Sequence, residues 1–487
     1  MTGNHNMCAS KSTFFQLRVS PKRWIGWVFF LAVAASWQTA KAQQVGDLVV
    51  VTVEYDTKIK SEVVGKIYAG TVHRVIDVRG KWCAVQDVPG WLPKRFCLTT
   101  KSALVQYGKR IRENQGDVEA LVTRSMIYLE QGNLQKAFRD MNESLKIDPK
   151  RASAWNNRGL IYMQLNQIDL AMKDIDYALK LAPQYANARN NRGMCAYALG
   201  DFTQAINDYD EAIKLNSEYP IFYVNRGVAY LASGNSQKAL LDFDAAINIR
   251  PNIPEAFIGR SNAFLSVRDL EKAEENASQA IGLDSRSPEG FNNRGWIRYQ
   301  AKKLGEAEKD FQKAISLNPD FSKAFSNYGV MLTELGRPAE ALENLDRAVE
   351  LDQGSPLVYS NRGNAWLAIG EYEKAKLDFE KAIELAPKNA EALNSQAWFL
   401  ATCPRPEFRN GETAVGLATQ ANEAAGMKNW SYLDTLAAAY AETEDFEKAL
   451  ELQAKAIQLA PADKQDICQQ RLATYQAGKP VRTDTGR

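Results

Sequence analysis

The tripeptide Asn-Arg-Gly stands at 157–159, 191–193 and 225–227, skips one beat, and returns at 293–295 and 361–363. Each interval is 34 residues or a multiple of it, and the missing beat at 327–329 reads Asn-Tyr-Gly. A fixed period of this size means one supersecondary unit, a helical hairpin, repeated and stacked on its neighbours. A chain built this way buries its core between adjacent units and leaves long surfaces free, which points to binding before catalysis.

When the glycine of the tripeptide is taken as the eighth residue, ten units begin at Val118, Ala152, Ala186, Pro220, Pro254, Pro288, Ser322, Pro356, Ala390 and Trp430. The eighth place is always small: Ser125, Gly159, Gly193, Gly227, Ser261, Gly295, Gly329, Gly363, Ala397 and Ala437. The twentieth is alanine from Ala137 and Ala171 to Ala449, with Ala414 in that role after an insert in unit nine. Small residues at facing points let antiparallel helices approach closely, and apolar residues at helical spacing fill the space around them. Prolines at 149, 183, 220, 251, 288, 319, 356 and 387 mark the junctions, where they stop one helix and start the next.

Unit two shows the pattern cleanly as Trp155, Gly159, Tyr162, Ala171, Ala178 and Pro183, and it resembles the tetratricopeptide repeat. The resemblance implies a mainly α fold, a right-handed α-solenoid of about ten helical hairpins with capping helices. Residues 102–115 read as a lone second helix covering repeat one, and residues 464–477 as a C-terminal capping helix. The charged tail after Gly478-Lys479-Pro480 is expected to be disordered. Repeat nine carries about six extra residues, mostly at Cys403–Gly411, where two prolines and Asn-Gly predict a loop running over solvent or making a lateral contact.

The seventh place holds arginine at 124, 158, 192, 226, 260, 294 and 362. Sixteen residues on stand Asp140, Asp174, Asp208, Asp242, Asn276, Asp310 and Asp378. The two places change together, to Tyr328 with Asn344 and to Leu436 with Leu452, so we read them as ion pairs within the hairpin.

The sixth place holds Asn157, Asn191, Asn225, Asn293, Asn327 and Asn361, interrupted by Gly259. The resemblance implies that the first helix of each hairpin lines a concave, ligand-contacting face. Carboxamides there suit the backbone of an extended peptide, since they both donate and accept. The run is similar to the asparagine ladder in the repeat region of O-linked N-acetylglucosamine transferase. Bridging between neighbouring hairpins is the alternative role. Met194, Tyr197, Trp296 and Tyr299 are expected to stand in the same groove as aromatic or soft anchors.

Residues 45–99 differ in kind. Leu48–Val53 is an apolar, largely β-branched run, and Ala69-Gly70, Arg79-Gly80 and Pro89-Gly90 mark turns at roughly ten-residue spacing. Trp82 and Trp91 could supply most of a small core. Gly46-Asp47, Gly70-Thr71, Trp82–Val85 and Gly90–Leu92 resemble a bacterial SH3-like barrel, which implies a module that binds cell-wall peptide or glycan, binds Pro-rich peptide, or docks domains. Cys83 and Cys97 both fall in it, and a disulfide between them stays open at this point.

Before that module, Lys11, Arg18, Lys22 and Arg23 precede an apolar run at 24–35 and Ala40-Lys41-Ala42, the form of an export signal. The run falls short of the roughly 20 residues a spanning helix needs. Cleavage after Ala42 would leave an exported, envelope-associated chain with no stable membrane span; retention as an anchor is the alternative. The domains are therefore read as 1–42 signal, 43–100 SH3-like module, 101–117 linking helix, 118–463 ten repeats and 464–487 cap and tail.

A net charge of +2 gives no reason to expect nucleic acid as partner. Two histidines and six cysteines without a CxxC pair leave no metal or redox spacing, and neither a phosphate loop nor a catalytic triad is present. No catalytic residue, metal or cofactor is expected. The reading is a non-catalytic scaffold that binds a peptide or partner protein; a cell-wall-binding protein acting through the β module is the alternative.

Overall fold

The computed structural model describes residues 48–483, apart from positions 53–54, 60–61, 68–71, 80 and 86–87. The expected signal at 1–42, Gly46-Asp47 and Gly70-Thr71 of the SH3-like resemblance, and tail residues 484–487 lie outside the described residues. The chain divides into two compact units, one ending at Val267 and one beginning at Arg268.

In the first unit, seven strands are β1 (Leu48–Val51), β2 (Tyr55–Ile59), β3 (Glu62–Ile67), β4 (Val72–Arg79), β5 (Trp82–Val85), β6 (Val88–Pro93) and β7 (Cys97–Thr99). They pair antiparallel in the order β3-β2-β6-β5-β4-β1-β7. The period of two along β1 sends Val49 and Val51 into the sheet's own core with Val75, Cys83, Val85, Leu92 and Cys97. Val50, Leu48 and Leu98 pack instead with Ala103 and Tyr107 of the helix Thr100–Glu113. The tryptophans do not make this core, contrary to expectation. Trp82 is 44% exposed, and Trp91 lies under the Arg79 guanidinium at 4.7 Å. Short valine, leucine and cysteine side chains fill an interior that two indoles would overfill.

Cys83 on β5 and Cys97 on β7 lie with their Sγ atoms 3.7 Å apart. Three strand spacings separate β5 from β7 in the sheet order, about 14 Å if the sheet were flat. The contact therefore requires the sheet to curl back on itself.

The helices follow. Hairpins one to four pair Val118–Glu130 with Leu134–Ile147, Ala152–Gln164 with Ile168–Leu181, Ala186–Ala198 with Phe202–Leu215, and Pro220–Ala232 with Ser236–Ile249. Pro254–Ser266, the first helix of repeat five, ends this unit.

The second unit opens with Leu270–Leu283 and continues as hairpins Pro288–Gln300 with Leu304–Leu317, Ser322–Glu334 with Pro338–Leu351, and Pro356–Ala368 with Tyr372–Leu385. Repeats nine and ten pair Ala390–Thr402 with Gly411–Ala424 and Trp430–Glu442 with Phe446–Leu459; Ala462–Gln476 caps them. Among the described residues no helix is long and apolar enough to cross a membrane.

Two features hold each hairpin closed. The eighth place meets the side chain sixteen residues on: a Cβ at Gly159 would sit 2.6 Å from Ile175 Cγ1, and one at Gly329 2.5 Å from Leu345 Cγ and 3.1 Å from the Ala341 carbonyl oxygen. Outside repeat nine, the turn between the helices passes through the left-handed region, at Gly200 (φ 82°) or, where glycine is absent, at residues such as Asn166 (φ 59°).

The insert of repeat nine does not simply run over solvent. Cys403 is fully buried, Phe408 packs 5.9 Å from Phe399, and a Cβ at Gly411 would lie 2.7 Å from Thr443 Cγ2. Nor is the start of the tail disordered. Gly478 (φ 67°) reverses the chain after the capping helix, and residues 481–483 return to the first helices of repeats nine and ten.

Candidate functional site: the faces of the first helices

The arginine at the seventh place is the frame on which these faces are held. Arg158 Nε and Nη2 donate to Asp174 at 2.6 and 2.9 Å; Arg226 grips Asp242 at 2.8 and 2.6 Å, and Arg362 grips Asp378 at 2.8 and 2.7 Å. The carboxylates are buried, and the Asp174 bond holds the Arg158 guanidinium above its ordinary value. Burial pushes the Asp242 carboxyl up, and Arg226 opposes that shift.

Every guanidinium after Arg124 has a further partner that the sequence reading missed. Its remaining Nη1 donates backwards, to the second helix of the preceding hairpin: Arg192 to Asp176 (3.0 Å), Arg226 to Asp210 (2.6 Å), Arg260 to Asp244 (2.6 Å), Arg294 to Ser278 (3.3 Å) and Arg362 to Asp346 (2.8 Å). Such a planar fork can hold one carboxylate with two parallel bonds and still point a donor at a second acceptor, a fixed geometry that an ammonium lacks. Below it lies the fourth-place ring, as in Arg158 over Trp155 at 4.6 Å. The signal was available in the sequence as polar residues sixteen positions before each arginine from Arg158 on.

The sixth-place asparagines also have internal partners, thirty-five residues back. Asn191 Nδ2 donates to Asn156 Oδ1 at 2.9 Å, Asn225 to Asn190 at 2.8 Å, Asn327 to Asn292 at 3.0 Å, and Asn361 to Ser326 Oγ at 2.9 Å. Within a helix, Asn156 and Asn190 donate in turn to Asn157 and Asn191, each at 3.2 Å. Asn157, Asn191, Asn225 and Asn293 are buried; Asn327 and Asn361 are partly exposed. Where the preceding fifth place is Val122, Asn157 Nδ2 has no acceptor among the described residues. The carboxamides thus sit in the seam between successive first helices, with one donor committed to the neighbouring hairpin in four of the six.

The four expected anchors divide. Met194 and Tyr197 are half-buried on the first helix of repeat three, where burial pushes the Tyr197 phenol up to about 12. Trp296 and Tyr299 are buried at 7% and 1% exposure, which corrects the expectation that they stand exposed. One turn apart on one helix, their rings pack at 5.2 Å and fill the seam themselves. The second place brings in charge: Lys323 lies on the face beside Glu289, and burial brings its ammonium down to about 8 against the pull of that carboxylate.

At repeats nine and ten the seam is built differently. Glu442, the last residue of its helix, accepts from Arg409 Nε at 2.7 Å through Oε1 and faces Arg482 Nη1 at 2.7 Å through Oε2. Asp434 is buried and bonded to Arg471 and to Gln453 Nε2.

Comparison with family models agrees with this repeat pattern. Family models described as tetratricopeptide repeat match residues 125–190, 221–253, 288–321, 311–343, 356–389 and 431–463, and one described as TPR repeat matches 196–234. No curated protein matches. Among solved structures, yeast Tom70 is similar at 16% identity and TM-score 0.43, over 78% of this chain and 92% of its own. A tetratricopeptide repeat protein from Parabacteroides merdae is similar at 18% identity and TM-score 0.41, over 56% and 99%. YrrB, described as a TPR protein with an unusual peptide-binding site, is similar at 23% identity and TM-score 0.28, over 39% and 97%. With repeat matches over about half of the sequence, and the small eighth residue and alanine of each hairpin packed where the repeat requires them, the chain belongs to the tetratricopeptide repeat family.

Proposed function

We propose that the chain is a non-catalytic interaction scaffold of the cell envelope, holding an extended peptide or partner protein against its first helices. The observation that carries this reading is a division of labour along each helix. The seventh, eighth and sixth places repeat and are spent on internal contacts. The ninth place is buried in repeats one, two, five, six and ten, as Met126, Leu160, Asn262, Trp296 and Ala438, but in the other repeats it changes among Met194, Val228, Val330, Asn364 and Trp398, all partly exposed. A constant frame presenting a varied row of side chains suits recognition of a partner along its length, with Met194 and Tyr197 as soft and aromatic anchors. The envelope setting rests on the basic residues, apolar run and Ala40-Lys41-Ala42 of the first 42 residues.

The test is capture of a partner from envelope extract by the full chain and by a Met163→Glu, Met194→Glu variant. Met163, at the twelfth place of repeat two as Tyr197 is of repeat three, and Met194 are partly exposed but also pack on apolar clusters, so capture should be lost in a variant whose native helicity is first verified by circular dichroism. Unchanged capture would move the site away from these helices.

A second reading is favoured by Trp82. An indole 44% exposed on β5 is a ready stacking platform for a sugar ring or a peptide, as in a cell-wall-binding module. Retention of the full chain on isolated cell wall, lost in Trp82→Ala and kept in the Met163→Glu, Met194→Glu variant, would support it.

A further inference from the structure

Residues 478–483 form a short peptide lying against its own scaffold. Gly478 N–H and Lys479 N–H close the capping helix on the Tyr475 and Thr474 carbonyls at 2.9 and 3.1 Å, and Pro480 keeps the residue before it extended. The next three residues each make a different kind of contact. Val481 packs on the apolar cluster of Leu433, Leu436 and Tyr475. Arg482 Nη1 meets Glu442 Oε2 at 2.7 Å and the Ala401 carbonyl at 3.4 Å. Thr483 donates its backbone N–H to the Thr402 carbonyl at 2.8 Å. The Thr402 hydroxyl gives its proton to Trp398 O at 2.8 Å, so the Thr483 hydroxyl must donate across the 2.6 Å contact between them.

The receiving surface is suited to this. The last carbonyls of a helix have no partner within it. In Ala390–Thr402 the Leu400 oxygen is taken by Asn410 N–H and that of the following Cys403 by Arg409, which leaves Ala401 and Thr402 to be capped from outside. The helix end is the negative pole of its dipole, and Glu442 beside it adds a carboxylate, only 13% exposed and already steadied by Arg409. The insert of repeat nine supplies Arg409 and brings Gly411 against Thr443, so the irregular loop shapes this site.

We propose that the first helices of repeats nine and ten form a recognition site for an extended segment of the pattern apolar–Arg–hydroxyl. Residues 481–483 occupy it in cis, and a partner segment of that chemistry enters by displacing them. The inference deepens the scaffold reading by naming one partner class, and it rests on that reading only for the claim that an outside segment is the working ligand.

The test uses a fluorescein-labelled peptide of residues 478–487, titrated by anisotropy against two full-length chains, wild type and Arg482→Ala, Thr483→Ala. Weakening the internal segment should raise peptide affinity at least tenfold. A peptide carrying Arg482→Gln should lose at least tenfold on the same chain, a control that leaves the protein's folding untouched. Absence of binding to both chains, equal affinity for both, or indifference to the peptide's arginine would each overturn the proposal. Envelope capture that depends on Met163 and Met194 would then still stand as the scaffold's own result.

Discussion

Arg226 joins three helices through one side chain, so its removal leaves Asp242, 4% exposed, without its bidentate partner. Arg226→Leu should cost about 1.5–3 kcal/mol, the range for a hydrogen bond to a charged group. Repeat ten indicates how to recover the loss, since Leu436 and Leu452 fill the same two places and are both buried. The double variant Arg226→Leu, Asp242→Leu is expected to return most of the stability, because well-packed apolar pairs often match buried ion pairs. Urea denaturation of the four chains of the cycle measures the coupling. Glu391 reports on pH: burial pushes its carboxyl up to about 7. A folded-state pKa raised above the unfolded value gives stability that is full below the unfolded pKa, near 4.3, and is lost as pH rises through 7. Thermal melts from pH 4 to 8 should therefore fall more steeply for wild type than for Glu391→Gln. At this scale the forward ion pairs were legible, because both partners change together in repeats seven and ten. The change at repeat seven had another outcome than pairing: Tyr328 bonds Glu308 at 2.6 Å, while Asn344 turns to its own helix.

Between successive first helices the asparagines act as a seam, and the value of each depends on the hairpin before it. Asn191→Ala removes the bond to Asn156 and the one received from Asn190, so a loss of about 1–3 kcal/mol is expected. Asn157→Ala should cost clearly less, since its Nδ2 faces the place of Val122 and has no acceptor; equal losses in chemical denaturation would count against the seam. Hairpin boundaries were legible from the period alone, because proline, small residue and alanine recur at fixed places. The seam was legible only as the alternative role of bridging, and its partners were not, because the bonds run thirty-five residues back, one off the repeat, and a place-by-place comparison never aligns them. The β module was the least legible element: a strand pattern gives pairing partners no visible order, and the curl that joins β5 to β7 appears only in three dimensions. That curl carries its own prediction. Incubated with oxidised glutathione, Cys83 and Cys97 should lose two free thiols together and form an intrachain disulfide, read by mass after alkylation, and Cys83→Ser should abolish it.

Over the whole chain, stability in a repeat array is close to a sum of units and their nearest-neighbour interfaces. Loosening the segment at 481–483 should therefore be felt locally. In Arg482→Ala, Thr483→Ala, amide exchange is expected to quicken in residues 390–476 and to stay unchanged in residues 118–249; a rise across both would contradict nearest-neighbour behaviour. Sequence reading also failed at the tail, because Gly478-Lys479-Pro480 ends a helix equally well before a free end or before a returning strap, and the contacts of Val481, Arg482 and Thr483 that decide between them are made far along the chain. The arginine fork has a consequence for how such a gene can change. Each fork spans sixteen residues forward and sixteen back, so a small insertion or deletion almost anywhere in a repeat falls within one of these spans and puts that contact out of register. Lengths should be inherited in whole steps of 34, gained or lost by duplication or excision of complete units. The one departure fits this account: the six-residue insert lies in repeat nine, whose seventh place is Gln396, one of three hairpins with no arginine there to misplace.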